Sequence, residues 1–290
     1  MAGVECAYDG KHLLGESPVW NDRDKALYWV DIYGPTINRL DPSTGKVRTW
    51  TLPDPVGSIG LRARDGMVAA TKRGFHFFDL KTGKLEQVAD PENHLPDNRF
   101  NDGRCDRRGR FWAGTMSEVA REPTGSLYCL DVDLSVRVVR SGVIIPNSLS
   151  WSRNDRVMYF ADTERHKIWA YDYDIETGTV ANERVFVDTK DRVGRPDGST
   201  VDAEDCLWNA EYGGGRICRY TPDGRLDRVI EMPVTQPTSC AFGGAGLETL
   251  YITTARQRLN PQQIEQQPLA GALFAVRPGV SGVPEPSFAG

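Results

Sequence analysis

Apolar positions along the chain cluster in short runs, with none of the three-and-four spacing of an amphipathic helix. ALYWVDI (26–32), GMVAAT (66–71), RFWAGT (110–115), VMYFADT (157–163), CLWNAEY (206–212) and TLYITT (249–254) are rich in aromatic and β-branched residues. Turn clusters such as DPSTG, DLKTG, DRRG, SRND, IETG and TPDG separate them. This is the spacing of an all-β chain. The anchors Leu27, Met67, Phe111, Met158, Leu207 and Leu250 follow one another at steps of 40, 44, 47, 49 and 43 residues. Each run is followed by a further strand-like segment: TINRLD, GFHFFD, GSLYCLD, KIWAYDYD, RICRY and GALFAV. Four strands in roughly 40–45 residues is one propeller blade. The pattern predicts a six-bladed β-propeller with four antiparallel strands per blade, spanning residues 1–290 as a single domain. Two packed sandwiches would not explain a register shared by all the units.

Ten or eleven residues before each anchor stand Glu16, Gly57, Asn101, Asn147, Asp197 and Ser239. Each precedes the first strand of its unit, the strand nearest the channel in a propeller, so the set is expected to ring one mouth. Asp, Asn, Gly and Ser are ordinary turn residues, and RPDGS by itself reads as a turn. Glu16 is not a preferred turn residue. Two readings follow: a structural polar ring around a wet channel, or an oxygen-ligand site. Two carboxylates with an amide oxygen suit a hard divalent cation. His12, His76, His94 and His166 stand away from these positions and lack paired ligand spacing. HExxH and GxSxG patterns are missing, and EYGGGR lacks the Lys-Ser/Thr of a phosphate loop.

Composition narrows the classes. A net charge of −5 with interspersed signs offers no basic patch for nucleic acid, and no apolar run is long enough to span a bilayer. The N-terminus lacks a charged region followed by an apolar one, so a cytoplasmic protein is the expectation. Six cysteines without a CxxC pair read as reduced thiols in strands.

The stretches GESPVW, RFNDGRCDRRGRFWAGTM, GSLYCLD, PNSLSWS, MYFADT, RPDGSTVDAEDCLWNA and LYITTAR together resemble the senescence marker protein-30/gluconolactonase/LRE-like family, over nearly the whole chain. The resemblance implies a six-bladed propeller and metal-dependent hydrolysis of a sugar (aldono-)lactone to the aldonic acid. It implies Glu16, Asn147 and Asp197 as ligands of one divalent ion (Ca²⁺, Zn²⁺, Mn²⁺, Mg²⁺ or Fe²⁺), and Asn101 with Arg99 as substrate contacts. Glu118, in the loop MSEVAREPTG, reads equally as a ligand-contacting carboxylate or a solvated one. Many members have Asn-Gly where this chain has Asn147-Ser148; serine gives up the freedom of glycine at positive φ and is expected to alter the cavity wall.

In such a site Asp197 is the candidate catalytic base, and activation of the attacking water by the cation is the other route. The expected partner is a small-molecule sugar lactone, with no nucleic acid and no membrane. Two rival readings share the residues: a phosphotriesterase-type hydrolase, and a noncatalytic metal- or sugar-binding propeller. The ends of the second strands, at Asp31, Thr71, Thr115, Asp162, Glu211 and Thr254, recur in register; they are expected to hydrogen-bond between blades, with support of the metal ligands open to some of them. The tryptophans are expected in blade packing, with sugar stacking open to one or two of them. LNPQQIEQQ is expected to form a short helix begun by Asn260 and Pro261.

Overall fold

In a computed structural model, which describes residues 3–290, six antiparallel sheets surround one axis as a six-bladed β-propeller. The inner strands are Gly15–Asn21, Val56–Arg62, Asn98–Cys105, Pro146–Trp151, Arg195–Val201 and Pro237–Gly243 for blades 1 to 6. Each packs against the next, and the sixth against the first. Blades 1 to 5 take their four strands in sequence order, as the repeat predicts. Blade 6 differs. Its outermost strand is the N-terminal segment Glu5–Tyr8, antiparallel to Leu273–Val276. The N-terminal segment and the last strand of the repeat are thereby hydrogen-bonded into one sheet, which seals the ring. At the other end of the chain, Ser287–Phe288 runs parallel to the inner strand of blade 2, and Glu285 pairs with Arg104 at 2.8 Å. The C-terminal segment thus lies against the inner strands away from the mouth formed by Glu16, Asn147 and Asp197.

The blades hold together because their facing surfaces are apolar. Trp29, Trp112 and Trp208 are fully buried. A buried indole N–H needs an acceptor. Trp112 Nε1 donates to Asp106 at 2.8 Å and Trp208 Nε1 to Asp202 at 2.8 Å. Each aspartate stands six residues earlier, in the turn between inner and second strand, where it also accepts local backbone N–H groups. Arg110 and Arg219 pair with these carboxylates, so the buried charges are answered.

The second-strand ends behave differently from expectation. Asp31 accepts the N–H groups of Leu13 and Leu14, and Asp162 those of Ile144 and Ile145. These bonds lie within a blade: they fasten the segment entering the inner strand to the end of the second strand, next to the mouth. Five of the six cysteines lie in strands, as expected, and all six thiols are free. The helix Pro261–Gln266 is present, with Asn260 as N-cap and Gln263 completing a capping box. No helix among the described residues is long and apolar enough to cross a membrane.

Gly57 shows how tightly the inner strands meet. A Cβ there would lie 2.4 Å from the carbonyl oxygen of Phe100 and 2.6 Å from that of Asn101. Both obstacles are backbone, so the neighbouring strand would have to move. Gly57→Ala is therefore expected to destabilise the fold by about 1–3 kcal/mol, read as a lowered denaturant midpoint with unchanged slope. An unaltered midpoint would mean that blades 2 and 3 are free to part.

Candidate functional site

The mouth is built by a repeated irregularity. Every inner strand carries a β-bulge at or just after its mouth residue: Gly57, Asn101, Asp197 and Thr238 fall within it, and Glu16 and Asn147 are the last paired residues before it. In four blades the residue opposite the second-strand end is Gly15, Phe100, Pro146 or Pro196, paired with Asp31, Thr115, Asp162 and Glu211. The next residue in each case is Glu16, Asn101, Asn147 or Asp197. The same step from Val56 gives Gly57, and from Pro237 it gives Thr238. The sixth mouth position is therefore Thr238, one residue before the expected Ser239. Its hydroxyl donates to Gly15 O at 2.5 Å, tying blade 6 to blade 1.

Glu16, Asn101, Asn147 and Asp197 line one cavity of about 530 Å³, mouth included, together with Arg99, Tyr33 and Tyr212. All four mouth residues are at least nine-tenths buried. Asn147 donates its amide to Thr163 Oγ1 at 2.7 Å, and Thr163 passes a hydrogen bond to Pro196 O at 2.8 Å. This fixes the Asn147 carbonyl as an acceptor whose one bond, from Asn101 Nδ2, is 3.3 Å long. Asp197 Oδ1 is buried with no hydrogen-bond partner. Glu16 takes only a long bond, 3.4 Å, from the N–H of Ser17.

The electrostatics follow from that poverty of partners. Burial, and then the neighbouring Asp102 carboxylate, push Glu16 up to about 8. Burial, then Glu16 and then Asp102, raise Asp197 well above the usual carboxylate range. Buried like charges without donors are costly when both ionised. An orphaned carboxylate oxygen, a second under-bonded carboxylate and an amide oxygen form a donor set that fits a hard divalent cation. Among the described residues no three His, Cys, Asp or Glu side chains gather as a metal cluster.

Ser148 and Ser17 follow Asn147 and Glu16 and both have left-handed backbone, at φ 60° and 49°. Serine at 148 thus keeps the conformation that glycine would allow. Its hydroxyl is fully buried, donating to Asp197 O at 2.6 Å and accepting from Asn209 at 3.0 Å. It braces the strand of Asp197 and takes no place among the residues lining the cavity.

Arg99 is 3% exposed. Its Nη1 donates to Phe100 O at 2.9 Å and to Asn101 Oδ1 at 2.8 Å, and its guanidinium lies 5.3 Å from the Tyr33 ring centroid. Asn101 spends its amide on Pro146 O at 2.9 Å and on Asn147. In this arrangement Asn101 is a strut joining Arg99 to Asn147. Glu118 does not line the cavity. It stands behind Arg99, 3.5 Å from Nε, and also pairs with Lys72.

Several lining residues escape sequence reasoning: Tyr33, Arg121, Glu164, Arg195, Tyr212 and Arg258. Tyr33, Arg121, Glu164 and Arg258 come from connections between strands, and Arg195 and Tyr212 stand at strand ends, where the repeat marks no mouth position. No tryptophan lines the cavity, so the sugar-stacking role left open to one or two of them is not taken up there; the aromatics that line it are Tyr33 and Tyr212.

Residues 14–256 match the family described as SMP-30/Gluconolactonase/LRE-like region. The 6-deoxy-6-sulfogluconolactonase of Pseudomonas putida is 38% identical over 289 residues, 99% of each chain. Regucalcin of Xenopus laevis is 36% identical over 99% of this chain and 98% of its own. Among solved structures, the calcium-binding protein regucalcin from Agrobacterium tumefaciens superposes with a TM-score of 0.95 at 31% identity, covering 99% of this chain and 97% of that one.

The buried carboxylates have a thermodynamic consequence. Glu16 binds its proton more tightly folded than unfolded, so its contribution is fully present below about pH 4.5 and is lost as pH rises towards about 8. In the presence of a chelator, the melting temperature is expected to fall across that window, by an amount corresponding to roughly 3–5 kcal/mol. Glu16→Gln should flatten the fall. Equal pH profiles for the two chelated proteins would contradict the electrostatics described.

Proposed function

Because the chain belongs to the SMP-30/gluconolactonase/LRE-like family, we propose that it is a sugar lactonase that opens an aldonolactone to its aldonic acid with the help of one divalent cation. The observation that carries the reading is the orphaned Asp197 Oδ1, buried beside Glu16 in a cavity that Arg99 also lines. Glu16, Asn147 and Asp197 would hold the cation, and calcium is supported by the calcium-binding description of the Agrobacterium protein.

A lactone is a cyclic ester, and its hydrolysis needs a polarised carbonyl, an attacking water and a stabilised oxyanion. When bound, the cation supplies Lewis-acid polarisation of the carbonyl. Asp197 accepts the proton of the water that attacks the carbonyl carbon. Arg99, permanently protonated and already oriented by Phe100 O and Asn101, faces the negative charge that develops on the carbonyl oxygen. Collapse of the tetrahedral species breaks the bond to the ring oxygen. That oxygen takes up the proton held by Asp197 and leaves as a hydroxyl on the same molecule, now an open-chain acid, so Asp197 is a carboxylate again. Glu118 acts through Arg99: its carboxylate, 3.5 Å from Nε, balances the charge of the guanidinium from behind. Asn101 likewise positions Arg99 and Asn147.

Acid release from a panel of neutral aldonolactones, corrected for spontaneous hydrolysis, tests the reading. Turnover is expected with added divalent metal and lost after chelation. Asp197→Ala should lower kcat by about 10²–10⁴ while the variant remains folded by circular dichroism. Turnover of phosphotriesters without lactones would favour the rival hydrolase, and metal-dependent sugar binding without turnover would favour a binding propeller.

A further inference from the structure

The cavity has two levels that differ in charge. Its floor, formed by Glu16, Arg99, Asn147 and Asp197, is at least nine-tenths buried. Its rim carries three further guanidiniums, those of Arg121, Arg195 and Arg258. The Arg121 and Arg195 side chains are 38% and 43% exposed, and Arg258 is exposed as well. They arrive from separate places in the fold: the 118–124 loop of blade 3, the start of the inner strand of blade 5, and the 256–271 insertion of blade 6.

One rim carboxylate serves them. Glu164 lies 2.8 Å from Arg195 Nη1 and 3.6 Å from Arg121 Nε. Arg258 has no carboxylate within ion-pair distance among the described residues. Arg121 is held below the usual arginine range, by burial first and by the like charge of Arg258 second. In all, four guanidiniums line a cavity with three carboxylates, two of which a bound divalent cation would neutralise. This cationic excess sits in a protein whose net charge is −5.

Arg258 is presented by a pinned backbone. Arg256 and Gln257 donate to the carbonyls of His12 and Leu13, and the Gln257 carbonyl accepts from Gln236. Arg258 itself has a left-handed φ of 62°, a conformation held by its surroundings. Between floor and rim stands Tyr212. Its hydroxyl is buried without a hydrogen-bond partner, and burial and the Asp197 carboxylate push it up to about 12, so it stays a donor. An unused donor midway is what a ligand spanning both levels would meet.

A neutral aldonolactone leaves the rim unanswered. The carboxylate created by hydrolysis forms at the former carbonyl carbon, on the floor beside Asp197, and does not reach it. On the lactonase reading, on which this step rests, we infer that the preferred substrate is an anionic lactone. It carries a second, permanently charged group (carboxylate, sulfonate or phosphate) at the end remote from the ester, received by Arg258 and Arg121. Arg195 and Glu164 form the fixed side of that receptor.

The test compares kcat/KM for glucono-1,5-lactone with that for the same ring bearing a C6 phosphate, sulfonate or carboxylate, using the full chain with added calcium. At least one anionic lactone is expected to be preferred by ten-fold or more at low ionic strength, with the preference shrinking as salt rises. The arm with the largest ratio identifies the anion. Arg258→Gln and Arg121→Gln should each lower that ratio at least ten-fold, mainly through KM, and Arg258→Glu should lower it further. Melting temperatures establish that the variants are folded. A ratio near one in the unaltered protein, or a ratio that none of the substitutions moves, overturns the inference while turnover of the neutral ring leaves the lactonase reading standing. Absence of turnover on every lactone overturns both.

Discussion

The pairing of Glu5–Tyr8 with Leu273–Val276 joins the N-terminal segment to the last blade, and the arrangement at the mouth depends on it. Glu16 belongs to blade 1 and Asp197 to blade 5, with blade 6 between them. That sheet takes strands from the N-terminal segment and from the last blade, so its backbone hydrogen bonds hold the first and fifth blades at fixed separation. Closure also covers the two blade faces that an open array of sheets would leave exposed, and each blade keeps only a short outer edge. The hydroxyl of Thr238, bonded to Gly15 O, repeats the same connection at the level of the inner strands.

On that rigid ring the mouth residues do two different jobs. Gly57 and Thr238 serve packing: one has no room for a side chain, and the other ties two blades together. The other four carry polar chemistry at the bulge or just before it. Glu16 and Asp197 are held where burial and mutual repulsion disfavour their charged forms. Functional sites are where such strain is retained, because a ligand repays it on binding. The surrounding bonds do not relieve the strain; they aim it. Ser148, Asn209, Thr163 and Asn101 engage backbone and amide groups around the carboxylates and leave Asp197 Oδ1 free.

The rim obeys another rule. Its guanidiniums are exposed, so each interacts weakly with any single partner in water. Their effect comes from convergence above a narrow, low-dielectric floor, where several like charges raise the local concentration of anions. A rim that selects by charge and a floor that selects by an ester carbonyl together define a ligand with two poles.

How much of this was legible in the chain depends on whether a feature is periodic. Sequence by itself determined the six-unit propeller, because each blade repeats one alternation of strand and turn. It also determined Glu16, Asn101, Asn147 and Asp197 as a set, because they share a position in that repeat. The short helix after Asn260 was equally readable, since its capping groups lie within four residues of one another. Only the tertiary structure decided the rest. A bulge adds a residue that no spacing reveals, so the sixth position fell on Thr238 and not Ser239. The direction of Glu118 depended on Lys72, in a turn of blade 2, and Arg99, in the inner strand of blade 3. Arg121, Glu164, Arg195 and Arg258 lie on four different blades at unrelated spacings, and folding alone brings them to one rim. Periodicity records which residues a blade must share; contacts between blades depend on loops of unequal length, whose paths are set by closure of the ring.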